Sequence, residues 1–281
     1  MSENKSTELT ETGPGAAVAL TIAGSDSGGG AGIQADLKTF SALGVYGCSV
    51  ITAITAQNTL AVSDVHGVPV ATIKSQISAV LDDINVGAIK IGMLSSPDII
   101  ETVADSLTAF DGPIVLDPVM VAKSGDALLQ DNAVDALREK LIPIASLITP
   151  NLPEAARLLN REPLGDEDGM REQGAALLDA GAKAVLMKGG HASGDVCTDI
   201  LLGETNLKLQ SSRVRTRNTH GTGCTLSAAI AALLARGYLI EDAVRSAHEY
   251  LQNAIRGADV LRIGSGHGPV HHFHSLWDAV G

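Results

Sequence analysis

The residues most able to carry chemistry form a short glycine-containing segment, Asn218–Thr225, directly before an apolar run. Gly221 and Gly223 let the backbone turn sharply and approach a ligand closely. The apolar run, 226–235, predicts a helix, so the unpaired N–H groups of its first turn would point into the glycine segment. Helix N-termini carry a partial positive charge and commonly bind phosphate. The sequence therefore predicts an anion-binding hole with the Cys224 thiol at its mouth.

A second glycine-rich segment, Gly24–Gly32, follows a β-rich run and opens a predicted helix. Residues 30–35 match the dinucleotide fingerprint G-x-G-x-x-A, but that motif expects an acidic residue at the end of the next strand, where this chain has Gln57. The P-loop pattern G-x-x-x-x-G-K-[ST] is absent from the sequence. A tight polar site is therefore favoured over dinucleotide binding, with a plain glycine turn as the alternative.

Further polar residues stand at the ends of predicted strands. The Gln57 amide could pair with a heterocycle or with local backbone, since it offers one donor group and one acceptor. Asp117, Asn151 and Glu154 are the oxygen ligands that a hydrated Mg²⁺ needs, although Asn151 and Glu154 also fit a helix capping box. The Lys188 ammonium beside a glycine turn suits a phosphate, its alternative being an exposed lysine.

Other candidates have plainer alternatives. Asp36 lies on the first predicted helix, where a carboxylate is usually solvated. The loop Lys123–Asp126 could be a lid or an ordinary solvent loop. His220 precedes the predicted anion hole, but a lone histidine is more often structural than catalytic. The His271–His274 tract resembles a metal motif, yet adjacent histidines point apart, which favours a structural role.

The elements that must position these residues alternate along the chain. Strands are predicted at 18–23, 48–56, 88–91, 113–117, 147–149 and 183–187, and two antiparallel strands within 196–215. Helices are predicted at 31–43, 71–81, 97–107, 132–140, from 153, before 183, at 224–236 and at 241–258. This alternation indicates an α/β fold with a mostly parallel sheet covered by helices on both faces. Ligands of such folds bind beyond the carboxyl ends of the strands.

Composition limits the class of protein. With 281 residues and a formal net charge of −12, the chain lacks the basic excess expected of a broad nucleic-acid surface. No apolar run has membrane-spanning length. The three cysteines are widely spaced and form no metal-ligand pattern, so we expect free thiols and a cytoplasmic location. Residues 1–16 are polar and predict a disordered tail, followed by a single domain over 17–281.

Taken together, these motifs resemble those of bacterial hydroxymethylpyrimidine/phosphomethylpyrimidine kinases, a branch of the ribokinase-like superfamily. The resemblance runs from about residue 18 to 277, in the family's order. Its segments are 19–40, 48–53, 90–94, 116–120, 123–126, 148–155, 187–191, 218–225 and 268–274. It implies a ribokinase-like three-layer αβα sandwich with a mostly parallel central sheet and a short antiparallel edge.

The resemblance also implies a function and a set of site residues. ATP would phosphorylate 4-amino-5-hydroxymethyl-2-methylpyrimidine and then its monophosphate, with Mg²⁺, in thiamine diphosphate biosynthesis, and the enzyme would be a homodimer. The implied roles fall into four groups: a pyrimidine pocket of Gly24, Asp36, Gln57, Met93 and Val119; an anion hole of Gly221, Thr222, Gly223 and Cys224; ATP contacts from Lys188, Asn151 and Thr222; and Mg²⁺ organised by Asp117 and Glu154, with Asn151.

Cys224 stands where most ribokinase-like enzymes place an aspartate base, and cysteine there is typical of the pyrimidine kinase branch. A helix N-terminus lowers a thiol pKa, whereas a neighbouring phosphoryl group raises it, and the residues alone do not decide which prevails. Three alternatives stay open at this point: a pyridoxal kinase, a pyrimidine-binding sensor without turnover, and a cysteine hydrolase, the last being weak because only His220 is available as a base.

Overall fold

The computed structural model describes residues 15–121, 125, 129–130, 132–190 and 194–277. The expected tail, 1–16, lies almost wholly outside the described residues, and so does the proposed lid Lys123–Asp126 except for Gly125.

The described residues form nine strands in one sheet, in the order β3-β2-β1-β4-β5-β6-β7-β8-β9. The six central strands, β2, β1, β4, β5, β6 and β7 in sheet order, are mutually parallel. Strand β3 pairs antiparallel with β2, and β8 and β9 continue antiparallel beyond β7. Their bounds are β1 Val18–Asp26, β2 Tyr46–Gln57, β3 Val62–Gly67, β4 Ala88–Ile91, β5 Ile114–Leu116, β6 Leu147–Ile148, β7 Val185–Lys188, β8 Val196–Leu202 and β9 Leu207–Ser212.

Helices cover both faces of this sheet, which confirms the three-layer architecture. One layer contains α1, α7 and α8, and the other contains α2 to α6. The bounds are α1 Gly32–Ala42, α2 Val70–Leu81, α3 Pro97–Ser106, α4 Ala133–Ala136, α5 Leu152–Leu159, α6 Glu167–Asp179, α7 Thr222–Ala235 and α8 Ile240–Arg256. A π-helical turn, Leu137–Leu141, extends α4, and a 3₁₀ turn, Ala258–Val260, follows α8. Among the described residues, no helix has both the length and the apolar character to cross a bilayer.

The main difference from the sequence-based expectation is β3. This strand was not predicted, because its residues are polar or exposed apart from Val62 and show no buried alternating face. It is held to β2 by backbone pairing at the edge of the sheet. The sheet therefore has antiparallel strands at both edges rather than at one.

Two features of this fold position the site. The strand order reverses between β1 and β4, which is the topological switch point where open α/β sheets bind ligands. Helix α7 is buried on all sides from Thr225 to Leu234 and packs between α1, α8 and the central strands. A helix that is apolar all round needs such a buried place. Its N-terminus is thereby fixed over the carboxyl ends of the parallel strands.

Candidate functional site

A cavity of about 650 Å³ opens at the carboxyl edge of the parallel strands. It is bounded by residues at or just after the carboxyl ends of β1, β2 and β4 to β7, by residues of β8 and β9, and by the first turn of α7. The structure brings together in its wall nearly all the residues singled out from the sequence: Gly24, Gln57, Met93, Asp117, Val119, Asn151, Glu154, Lys188, Gly221, Thr222, Gly223 and Cys224.

The C-terminal glycine loop, Asn218–Thr225, leads directly into helix α7, as the sequence predicted, and its role as an anion hole stays a prediction. Gly221 has a left-handed backbone (φ 79°), and a side chain there would collide with the Gly30 carbonyl oxygen. Helix α7 begins at the next residue, and no side chain among the described residues caps it. A Cβ on Gly223 would lie 3.3 Å from Lys188 Nζ and 3.5 Å from Asp117 Oδ2. The uncapped turn of α7 therefore stands directly beside the charged groups of the cavity.

Those charged groups are one lysine between two carboxylates. Lys188 Nζ lies 2.8 Å from Asp117 Oδ1 and 3.8 Å from Glu154 Oε2. Burial alone would lower the pKa of Lys188, but the two carboxylates outweigh it and raise that pKa. Burial by itself would raise the pKa of Asp117, whereas Lys188 and then Lys90 hold it below its usual range. Burial raises the pKa of Glu154 to about 7, although Lys188 opposes this.

Asn151 and Glu154 also form the helix cap that was the alternative interpretation of their spacing. Asn151 Oδ1 accepts a hydrogen bond from the Glu154 amide at 2.9 Å, and Glu154 Oε2 accepts one from the Asn151 amide at 2.8 Å. This capping box begins α5 and turns both side chains toward the cavity wall. Capping and a place in the site are therefore compatible.

The N-terminal glycine loop, Gly24–Gly32, has its donors already occupied by a carboxylate of the chain. Asp26 Oδ1 accepts from the Gly28 amide at 2.8 Å, and Oδ2 accepts from the Gly30 and Ala31 amides at 3.0 and 2.9 Å. His220 Nε2 lies 2.8 Å from the same Oδ2. Burial would raise the pKa of Asp26, but the contact with His220 and the amides of Ala31 and Gly28 lower it. The bond from Gly28 back to Asp26 is an Asx-turn, which the Asp-x-Gly pattern could have indicated.

Gln57 stands at the rim between the two loops. Its Oε1 accepts a hydrogen bond from Thr55 Oγ1 at 3.1 Å, and its Nε2 lies 3.5 Å from His220 Nε2. His220 thus contacts Asp26 and Gln57 together and also lines the cavity, so its structural role stays a prediction. The pairing of Gln57 with a heterocycle stays a prediction.

Burial is the largest influence on the pKa of the Cys224 thiol. Burial raises the pKa of the thiol to about 11; Lys90 lowers it, and Asp36 and Asp117 raise it. The Gly32 amide offers the sulfur a hydrogen bond. Burial, which the sequence does not reveal, therefore adds a third influence and favours a neutral thiol.

Asp36 is the one candidate of the pyrimidine pocket that does not line the cavity. It is fully buried on α1, accepts from Thr21 Oγ1 at 2.6 Å and pairs with Lys90 Nζ at 2.8 Å. Burial raises the pKa of Asp36, although Lys90 opposes it. Lys90, which does line the cavity, was missed as a site residue; a lysine between two isoleucines in a buried strand was the available signal.

The histidine tract is packed into the protein behind α7. His272 Nε2 lies 3.1 Å from Thr225 Oγ1, and the Tyr250 hydroxyl donates to the His272 carbonyl at 2.6 Å. Burial lowers the pKa of His272 to about 3. Across the described part of the chain, no three His, Cys, Asp or Glu side chains are arranged to hold a metal.

Comparison with known proteins places this site in a family. Residues 26–271 match the family model described as phosphomethylpyrimidine kinase. The chain is 57% identical over 262 residues to the hydroxymethylpyrimidine/phosphomethylpyrimidine kinase of Rhizobium meliloti, covering 93% of this chain and 98% of that protein. The corresponding Escherichia coli protein is 52% identical over 261 residues, covering 92% and 98%.

Two solved structures have the same fold as this chain. A phosphomethylpyrimidine kinase from Clostridium difficile superposes with a TM-score of 0.75 at 48% identity, over 85% of this chain and 99% of that one. An ADP complex of Bacillus subtilis pyridoxal kinase superposes with a TM-score of 0.85 at 40% identity, over 92% and 98%. The chain belongs to the phosphomethylpyrimidine kinase family.

Proposed function

We propose that this member of the phosphomethylpyrimidine kinase family transfers phosphate from ATP to 4-amino-5-hydroxymethyl-2-methylpyrimidine and then to its monophosphate, in thiamine diphosphate biosynthesis. The names of the relatives support this assignment. The observation that carries it is the uncapped first turn of α7, which stands within one cavity beside Lys188, Asp117 and Glu154. ATP as donor is supported by the ADP complex of the structural neighbour.

The C-terminal glycine loop stabilises the phosphoryl group in transit. The acceptor oxygen forms its bond to the γ-phosphorus while the bond from that phosphorus to ADP breaks and its electron pair leaves with ADP. The transition state is loose and spreads charge over the equatorial oxygens, so aligned donors supply most of the catalysis. The amides of Gly221 and Gly223 and the Lys188 ammonium are these donors, and the Thr222 amide joins them once it releases the Thr219 carbonyl, to which it donates at 3.4 Å. Removing one such donor costs about 3 kcal/mol in comparable oxyanion sites.

Cys224 orients the acceptor hydroxyl rather than forming a covalent bond to phosphate. A thiol whose pKa is raised to about 11 holds its own proton at neutral pH, so it is a poor base. A loose transition state does not need a strong one, because the hydroxyl proton can leave late to a phosphoryl oxygen. Cysteine hydrolase chemistry needs an activated thiolate, which this environment opposes.

The residues at the phosphate end fit a hydrated Mg²⁺. Asp117 and Glu154 both line the cavity and provide the oxygen ligands that Mg²⁺ prefers. Two carboxylates suit an ion that keeps several waters and shares phosphate oxygens, and when bound it would neutralise phosphate charge. Asn151, at the N-cap of α5, and Thr222 contact the nucleotide phosphates in this assignment.

We assign the acceptor ring to the part of the cavity wall formed by Gly24, Gln57, Met93 and Val119. A Cβ on Gly24 would come within 2.6 Å of the Met93 terminal methyl, so glycine keeps Met93 in place against the ring site. Asp36 lies behind this wall, and we assign it an indirect part in the pocket through Lys90.

Release of ADP from Mg-ATP tests the assignment, with the pyrimidine alcohol, its monophosphate or pyridoxal as the acceptor. Turnover of both pyrimidines, faster than that of pyridoxal, is expected. Faster turnover of pyridoxal would make the chain a pyridoxal kinase, and no ADP release with any acceptor would favour a non-catalytic sensor.

Two further parts of the proposal concern the whole molecule. We infer a homodimer, which the exposed apolar side chains of Ile54 on β2 and Val65 on β3 would help to form; light scattering at micromolar concentration checks it. We also infer a cytoplasmic location, in keeping with three free cysteines, which fractionation of cells checks.

A further inference from the structure

The peptide units on both sides of the Lys188 Cα are held by hydrogen bonds from other parts of the fold. The Lys188 amide donates to the Pro150 carbonyl at 2.9 Å, at the end of β6. The Gly189 amide donates to Asp199 Oδ1, also at 2.9 Å, and this second bond is buried. Because each peptide unit is planar, holding its N–H group fixes the whole unit. The two bonds together therefore set the direction in which the lysine side chain leaves β7.

Asp199 reaches the Gly189 amide from the neighbouring strand, β8. It lies directly opposite Lys188 in the antiparallel pair of β7 and β8, so the two side chains stand on the same face of the sheet. Both residues line the cavity, although Asp199 is almost fully buried. Its second oxygen, Oδ2, lies 3.9 Å from Nε2 of His248 on α8. Burying a carboxylate costs free energy, and the bond from the Gly189 amide offsets part of that cost.

The next peptide unit of the turn is held by Arg213, directly after β9. Its Nη1 donates to the Gly190 carbonyl at 2.9 Å, and its Nε donates to the Gly194 carbonyl at 2.7 Å. The guanidinium is planar and rigid, so its donors keep a fixed geometry toward both carbonyls. A Cβ on Gly189 would lie 2.0 Å from the Thr198 carbonyl oxygen, so the turn is also packed closely against β8. Backbone contact and two side chains thus fix one short turn.

We propose that Asp199 and Arg213 are positioning residues for the phosphoryl transfer: they hold the turn 188–190 so that the Lys188 side chain enters the cavity in a single direction. Its ammonium, 2.8 Å from Asp117 Oδ1, then needs only a change of rotamer to reach a phosphate. The antiparallel strands β8 and β9 are the scaffold that carries both positioning residues. This inference rests on the proposed function for the nucleotide, whereas the hydrogen bond to Gly189 is measurable without one.

Hydrogen exchange of the Gly189 amide, followed by NMR in the nucleotide-free protein, tests the first bond. Asp199→Leu removes the acceptor, so we expect exchange of this amide to become about ten-fold or more faster. Asp199→Asn keeps a side-chain oxygen and should stay within about three-fold of wild type. The amides of Leu186 and Met187, earlier in β7, should keep their wild-type rates. Asp195→Leu makes the same substitution at an exposed aspartate just before β8 and should change none of these rates.

The comparison separates a local hydrogen bond from a general structural role. Equal acceleration at Leu186, Met187 and Gly189 would show a loosened strand and overturn the proposal. So would exchange in Asp199→Asn as fast as in Asp199→Leu, or an unchanged rate in Asp199→Leu.

Kinetics of the same proteins supply the second readout. A displaced lysine should affect the nucleotide and the transfer step, so in Asp199→Leu we expect KM for ATP to rise about five-fold or more and kcat to fall about ten-fold or more. KM for the pyrimidine alcohol should stay within two-fold, and Asp199→Asn should recover most of both losses. Equal rises in the two KM values, or no recovery in Asp199→Asn, would overturn the proposal.

Arg213→Met keeps the test valid if Asp199→Leu does not fold, because Arg213 is only half-buried. We expect a change of the same kind, with KM for ATP raised about three-fold or more and KM for the pyrimidine alcohol within two-fold. An unchanged KM for ATP would remove Arg213 from the proposal. A wild-type protein that turns over no pyrimidine would sink the proposed function instead, and the exchange rate of Gly189 would still judge Asp199.

Discussion

Two glycine loops line the same cavity, and each leads into a helix of the same layer. In the N-terminal glycine loop, Asp26 fills three backbone donors with its own carboxylate. In the C-terminal glycine loop, no side chain among the described residues caps α7, and the first turn lies against Lys188. The loops also touch, since Gly221 has no room for a side chain beside the Gly30 carbonyl.

The difference shows that glycine content alone does not make an anion site. Both segments have the flexible backbone and the following helix that phosphate sites use. What separates them is an internal anion: the first loop is closed by its own carboxylate, and the second is left open for a ligand. His220 links the two, because it follows Thr219 in the open loop and contacts Asp26 of the closed one.

The largest effect should come from closing the open loop. Gly221→Ala places a methyl group against the Gly30 carbonyl in a left-handed backbone, so the amides of α7 lose their alignment. We expect kcat to fall by about 10²- to 10³-fold, measured by ADP release. Gly44→Ala is the matched control, because Gly44 is also left-handed but has open space around it, and it should lose only about 1 kcal/mol of stability. A Gly221→Ala enzyme within ten-fold of wild type would contradict the comparison.

Opening the closed loop should cost stability and create an anion site. Asp26→Ala removes the acceptor of three amides and the partner of His220, so we expect the free energy of unfolding to fall by about 3 kcal/mol. Sulfate should then raise the Tm of the variant more than that of wild type, since it can occupy the freed amides. Asp64→Ala, on the exposed strand β3, should show neither effect. An equal response to sulfate in all three proteins would refute the internal-anion explanation.

Low pH should destabilise the protein through His272, which lies beside Thr225 in the first turn of α7. His272 is buried and neutral beside Thr225, and its pKa is lowered by burial to about 3, below the usual value near 6.5. A histidine with a lowered folded-state pKa contributes stability that is present above pH 6.5 and lost as the pH falls toward 3. Between pH 7 and 5, we expect the free energy of unfolding of wild type to fall by up to about 2 kcal/mol more than that of His272→Gln, measured by urea unfolding. His66→Gln, on exposed β3, is the control; equal losses in His272→Gln and wild type would be inconsistent with this assignment.

The smallest effect should come from the thiol at the open loop. Cys224→Ala leaves the amides in place and removes a group that only orients the acceptor, so kcat should fall by less than about ten-fold. If kcat stays at the wild-type value, the thiol has no catalytic part. A fall as large as that of Gly221→Ala would return Cys224 to the role of an essential group.

Residue order alone predicts most of the fold and brings most of the site residues to notice. The alternation of strands and helices predicted the parallel sheet, and the glycines before the apolar run 226–235 predicted the start of α7. The polar residues at strand ends were found because carboxyl ends of parallel strands converge. Edge strand β3 was missed because it has no buried face, so its sequence shows no alternation of apolar and polar residues.

What the sequence could not supply were contacts between distant residues. The Asp36–Lys90 pair joins positions 54 apart, and the pKa of Cys224 depends on burial beneath elements far along the chain. The two glycine loops look alike in one dimension, and only the side-chain geometry of Asp26 distinguishes the closed one from the open one.

The central claim is that phosphate binds to the open loop and not to the closed one. Titration of ¹⁵N-labelled protein with a non-hydrolysable ATP analogue and Mg²⁺ tests it by amide NMR. We predict large shifts at Gly221, Gly223 and Cys224 and small ones at Gly28, Gly30 and Ala31. Equal shifts at both loops, or larger shifts at the N-terminal glycine loop, would contradict the account.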